Sequence, residues 1–215
     1  MAPVEESWTR IVDWLTRLAP ATMRQLTAAP ATADEIAHAA KTIGREFPDD
    51  LVRWWLVAGF SPESVHPVLP WLHVPLTISD ALEARRFWLD LHVRMGEAIV
   101  AGEAGEPSHA FQSAFVPIAA DRSGQYLFVD LRDGPLRGCV AQWDHERSFD
   151  DAIRWASVAD MLSDVADALC LGVPAMTFHA AARLRHFAGH PEFAVDTYRA
   201  RITETGHLAW AAESF

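Results

Sequence analysis

The chain predicts an α+β fold, an antiparallel or mixed β-sheet packed against several α-helices, and three observations carry that expectation. Between Ser113 and His145 the sequence reads as three strands divided by two turns. Stretches with helical apolar spacing and recognisable cap residues flank this block on both sides. Half of the 215 residues are hydrophobic and nine are Trp, which supplies one substantial core and argues against disorder over most of the length.

Taken in order, Trp8, Ile11, Val12, Leu15 and Leu18 recur at helical spacing, so a first amphipathic helix is expected over about 5–18, stopped by Pro20. A second begins after Thr32, with Glu35 three residues on to close a capping box, and Ile36, Ala40, Ile43 and Phe47 on one face. Pro48 breaks it. Asp49 and Asp50 then suit the positive end of another helix that runs through Trp54 and Trp55 to Ala58, with Gly59 as its stop. Helical neighbours cannot face the same way, so Trp54 and Trp55 are read as core residues under two different elements and not as a platform for a sugar or base.

From Ser61 to Pro75 the prolines disfavour a helix and leave a short strand or an extended connection. Ser79 is read as the cap of a longer helix through Leu82, Phe87, Leu91 and Met95, followed by a Gly- and Pro-interrupted loop from Gly96 to Ser108. The strands are Phe115 to Ala119, Gln125 to Leu131 and Gly138 to Trp143. In the middle one, Leu127, Val129 and Leu131 alternate with Tyr126 and Phe128, so both faces are apolar and the strand is expected at the centre of the sheet. Asp121-Arg122-Ser123-Gly124 has the chemistry of a tight turn, an Asp that bonds the backbone two residues on and a Gly free to take positive φ. Asp133-Gly134-Pro135 makes the second turn.

After a polar connection at Asp144-His145-Glu146-Arg147, Ser157 caps a helix whose Val158, Met161, Leu162, Val165 and Leu169 form one stripe. That helix closes a domain spanning 1–172. Residues 173–215 carry Phe178, Leu184, Phe187, Phe193, Val195, Tyr198, Leu208, Trp210 and Phe215, too many large apolar groups for a solvated tail. They are read as a helical C-terminal extension packed on the domain or on another subunit.

The formal net charge is −11 at pH 7, which repels nucleic acid and anionic membranes and steers the chain towards a basic partner. The two cysteines, Cys139 and Cys170, stand in no metal or redox spacing, the acidic start does not resemble a signal peptide, and no uncharged run reaches a membrane span, so a reducing cytoplasm is expected. No catalytic, cofactor or metal constellation has confirming spacing. His186 and His190 are an i, i+4 pair, but Gly189 weakens the helix that would align them. The Asp121 turn lacks the Lys-Ser or Lys-Thr of a phosphate loop, and Asp144-His145-Glu146 has no nucleophile on an elbow beside it. Cys139 falls inside a strand as a small buried residue.

Several blocks together resemble one family. Phe115-Val116-Pro117-Ile118-Ala119, then Asp121, Ser123-Gly124, Tyr126-Leu127 and Val129-Asp130-Leu131, then Gly138, Val140, Trp143 and His145 follow in order. Upstream stand Ala33-Asp34-Glu35-Ile36 and Phe47-Pro48-Asp49-Asp50-Leu51. This pattern resembles the signature of the SUKH superfamily, which contains the fungal Knr/Smi regulators of cell-wall assembly and many bacterial immunity proteins that neutralise toxins. The resemblance covers roughly Trp8 to Cys170. It departs where many members carry an Asn-Gly or Asp-Gly-Gln and this chain has Val57-Ala58-Gly59-Phe60-Ser61.

The resemblance implies a non-enzymatic protein-binding module without cofactor or metal. Its leading form is an immunity protein that binds a toxin directly, and the acidic balance suits a cationic toxin such as a nuclease. The alternative is a regulatory adaptor of the Knr/Smi type. A hydrolase built on His145 and neighbouring acids is the weakest reading. Asp121, Arg122, Asp144, His145 and Glu146, the polar groups beside the strands, are the expected partner-binding residues.

Overall fold

The computed structural model of the chain describes residues 3–26, 28–61, 65–96, 102–121, 123–144, 153–176 and 196–214. Four helices come first: α1 (Val4–Leu18), α2 (Pro20–Met23), α3 (Ala33–Ile43) and α4 (Asp49–Val57). Then follow β1 (Val74–Pro75), α5 (Ile78–Met95), β2 (Phe115–Ala120), β3 (Tyr126–Asp130), β4 (Val140–Trp143), β5 (Ile153–Trp155), α6 (Val158–Leu171), β6 (Asp196–Ile202) and β7 (Leu208–Ser214). Strands β1 to β5 form one antiparallel sheet in sequence order, which sets β3 at its centre.

The double-sided apolar pattern of β3 is what puts it there. Leu127, Val129 and the following Leu131 enter the main core beneath α1, α4 and α6, while Phe128 enters a second cluster of Trp88, Phe111, Phe115, Ala141 and Trp143 on the other face. This second cluster is almost wholly aromatic. Phe111 and Trp143 meet edge to face at 5.3 Å, and Trp88 and Trp143 at 5.9 Å, geometries that the ring quadrupoles favour. Helix α5 covers it, packing across β2.

Local chemistry sets the helix ends. The Glu35 amide donates to Thr32 Oγ1 at 3.2 Å and the Thr32 amide donates to Glu35 Oε2 at 2.7 Å, so the expected capping box closes. Ser157 caps α6 through the Asp160 amide at 3.0 Å. Asp50 joins two helices: one oxygen accepts from its neighbour Leu51, and the other accepts from the Ala159 amide in the first turn of α6, both at 2.9 Å. Nearer the C-terminal end of α6, Arg10 of α1 meets Asp167 at 2.7 Å.

Several expectations are corrected. Thr77, not Ser79, caps α5: its hydroxyl accepts from the Asp80 amide, and Ser79 lies inside the helix. The buried face of α5 is Ala81, Trp88 and His92, so Phe87 and Met95 point to solvent. Gly59 does not stop α4 through a left-handed turn. A Cβ there would lie 1.7 Å from the Ala28 carbonyl oxygen, so its role is close backbone approach. Strand β5 occupies part of what was read as a connection.

The largest correction concerns the extension. Residues 196–202 and 208–214 form a β-hairpin, not a helix, with Ile202 paired to Leu208 and Asp196 to Ser214. Tyr198, Ala200, Leu208 and Trp210 alternate onto the main core, a two-residue period that overrides the helical spacing of Phe193, Val195 and Tyr198. The hairpin is hydrogen-bonded back to the preceding chain. The Leu208 amide donates to Thr22 Oγ1 at 2.8 Å, the Ala21 amide donates to the Gly206 carbonyl at 3.2 Å, and Ala175 and Tyr198 exchange backbone bonds at 2.7 and 3.1 Å. The helix expected through Phe178, Leu184 and Phe187, with the His186 and His190 pair, lies outside the described residues.

Candidate protein-interaction site

Strand register decides which polar groups share one end of the sheet. Ala120 pairs with Tyr126, and Tyr126 pairs with Trp143, so Asp121 and Asp144, each one residue further on, leave the sheet together at the same end. Two of the sequence-predicted residues are thereby brought to the same end of the sheet, on either side of β3. Arg122, His145 and Glu146 lie outside the described residues.

Asp121 builds the turn it was read as forming. Its Oδ1 accepts from the amides of Ser123 and Gln125, both at 2.8 Å, and its Oδ2 accepts from the Ser123 hydroxyl at 2.7 Å. This Asx turn fixes the carboxylate's position at the end of β2, with both oxygens bonded within the turn. Asp144 is half-buried directly after Trp143, whose ring is locked in the aromatic cluster.

Beside these acids runs a row of polar side chains. Leu127 pairs with Gln142, so Gln125, Gln142 and Arg154 lie on the same face of β3, β4 and β5. The Gln142 amide donates to Gln125 Oε1, and Arg154 donates to Gln142 Oε1 through both Nε, at 2.9 Å, and Nη2. Just before β1, which pairs with β2, His73 is buried, its Nδ1 donating to the Pro70 carbonyl at 3.0 Å. Burial pushes the imidazole down to about 4, with opposing influences from the Pro70 carbonyl and Asp121. His73 is therefore uncharged and fixed at neutral pH.

Sequence reasoning missed Gln125, Gln142, Arg154 and His73. One signal was present: Gln125 and Gln142 continue the alternation of Leu127, Val129 and Val140 onto a polar pair, which places them on the core face at the strand ends. His73 and Arg154 belong to elements too short to carry a pattern.

This end of the sheet offers rigid acceptors and donors on a hydrogen-bonded frame, chemistry suited to docking a polar protein surface. Cys139, wholly buried, has its thiol pushed up to about 12 by burial, which disfavours a thiolate nucleophile. Among the described residues no group of three or more His, Cys, Asp or Glu is placed to hold a metal ion, and no described helix is long and apolar enough to cross a membrane.

No curated protein matches the chain. A family profile does: that of the SMI1 / KNR4 family (SUKH-1), over residues 30–164, which reach from just before α3 into α6 and include all five strands of the main sheet. The β6–β7 hairpin lies beyond this span. With more than half of its length matched, the chain belongs to the SMI1 / KNR4 (SUKH-1) family.

Proposed function

We propose that this protein is a non-enzymatic binding module that neutralises a bacterial toxin by direct contact, and that the sheet end carrying Asp121 and Asp144 is part of its contact surface. The observation that carries the reading is the register that sets two acidic residues from separate strands at one end of the sheet, beside a frame of hydrogen-bonded side chains. Family membership supports a protein partner, because SUKH proteins often bind other proteins. The net charge of −11 favours a basic partner such as a nuclease domain: acidic side chains take the place of the phosphates the enzyme would otherwise hold. Arg122, His145 and Glu146 neighbour these acids in sequence and extend the proposed contact.

The test is capture of the chain's partner from among the products of its neighbouring genes, followed by co-expression with any toxin so captured. Restored growth, together with a stable complex of the two purified proteins, is expected. No rescue and no complex, with a cellular protein of another kind bound instead, would favour the regulatory adaptor of the Knr/Smi type.

A further inference from the structure

Helix α5 is an exposed element whose outward face matches itself. Its inward face is Ala81, Trp88 and His92. Directly opposite, Glu83, Phe87, Asp90 and Arg94 follow at spacings of four, three and four residues, which on an α-helix is one straight stripe, with Arg86 and Leu91 on its two flanks. These six residues line a groove of about 250 Å³. Phe87 is 58% exposed. None of the four charged side chains is engaged in an ion pair among the described residues, although Arg86 and Asp90, and Asp90 and Arg94, are four residues apart and carry opposite charges.

We propose that this face is an interface between two copies of the chain, with their α5 helices antiparallel about a two-fold axis that crosses the helix between Trp88 and Leu89. The order of the charges along α5 selects this axis. Such an axis sets Glu83 level with Arg94 of the second copy, and Arg94 level with the other Glu83. On one flank Arg86 comes within a single residue rise, about 1.5 Å, of level with the second copy's Asp90. On the other flank Phe87 meets Leu91 of the second copy with the same small offset. A two-fold axis in the plane of contact keeps left flank against left flank, so the charged side faces the charged side and the apolar side faces the apolar side. Every charge on the stripe then meets its opposite, twice over, and the exposed ring is covered. A parallel arrangement of the same helices would set Glu83 against Glu83 and Arg94 against Arg94. The inference is independent of the toxin-binding proposal, since it concerns association of the chain with itself.

Sedimentation equilibrium of the full chain tests this, with Glu83→Arg and Arg94→Glu as variants. Both positions are exposed, so the thermal melts of the two variants should match the parent chain. The parent is expected to approach twice the monomer mass with rising concentration. Each variant alone creates like-charge contacts and should weaken dimerisation about tenfold or more. An equimolar mixture of the two variants places an arginine at 83 against a glutamate at 94, and the reverse at the other end, and is expected to recover the parent's dimer. A parent that stays monomeric to millimolar concentration, single variants that dimerise as the parent does, or a mixture that stays monomeric would each overturn the proposal.

Discussion

Asp130 and Arg132, two residues apart at the end of β3, form a fully buried ion pair with Arg132 Nη2 2.8 Å from Asp130 Oδ2. The pair anchors the preceding loop as well. Asp130 also accepts from the Gly105 amide at 2.9 Å, Arg132 donates to the Glu106 carbonyl at 2.6 Å, and the guanidinium lies 5.0 Å over the Phe115 ring. Removing one partner leaves an uncompensated buried charge. Asp130→Ala should therefore cost about 3–5 kcal/mol in urea unfolding, whereas replacing both residues with apolar ones should cost less than the two single substitutions together.

The central strand gives a second expectation. Val129→Asp puts an unpaired charge among Leu127, Val140 and the α6 stripe, at a cost of several kcal/mol, enough to unfold a domain of ordinary stability. Trp143→Ala empties the middle of the aromatic cluster and should cost about 3–5 kcal/mol. Thermal melts unchanged by either substitution would contradict the assignment of β3 and β4.

His73 makes stability depend on pH in a defined direction. Its folded-state pKa is lowered by burial to about 4, below the usual 6.5, so the unfolded chain takes up the proton first. Stability is full above about pH 6.5, falls as pH drops towards about 4, and loses on the order of 3 kcal/mol by the time both states are protonated. Urea unfolding at pH 7 and pH 4.5 should show a smaller pH effect in His73→Gln than in the parent chain. An equal effect in both would show that His73 is not the titrating group.

Gly59→Ala should be destabilising by about 1–3 kcal/mol or more, because the added Cβ meets the Ala28 carbonyl oxygen at 1.7 Å and backbone must move to admit it. A substitution without effect on the melt would show that the segment before α3 yields freely.

Much of the fold was legible because its signals are local or strictly periodic. Thr32 with Glu35, and Ser157 before its apolar stripe, announce helix starts by side chains that bond nearby amides. The two alternating apolar sets of β3 need no tertiary information to be read as burial on both faces. What failed lacked such a signal, or offered two. Ser79 and Thr77 are equally good caps by type, and the choice between them rests on where the chain enters the helix. The face of α5 was misjudged because Leu82, Phe87, Leu91 and Met95 form an apolar row, while the aromatic cluster takes Trp88 and His92. The hairpin was missed because Phe193, Val195 and Tyr198 fit helical spacing, although Tyr198, Ala200 and Ile202 alternate and Gly206 marks the turn. In the candidate site, Asp121 was readable as a turn former, but that it shares one end of the sheet with Asp144 follows from register across three strands, a non-local property.

The proposed contact between a basic partner and the sheet end bearing Asp121 and Asp144 is open to direct measurement. The most direct measurement is the dissociation constant of the chain for a basic toxin domain captured from among its neighbouring gene products, compared with that of Asp144→Lys. Weakening of about tenfold to a hundredfold is expected for the variant, an effect that shrinks as salt is raised, measured at a temperature where the thermal melt shows both proteins folded. Equal affinity of the two proteins at low salt would contradict it and move the contact surface elsewhere on the molecule.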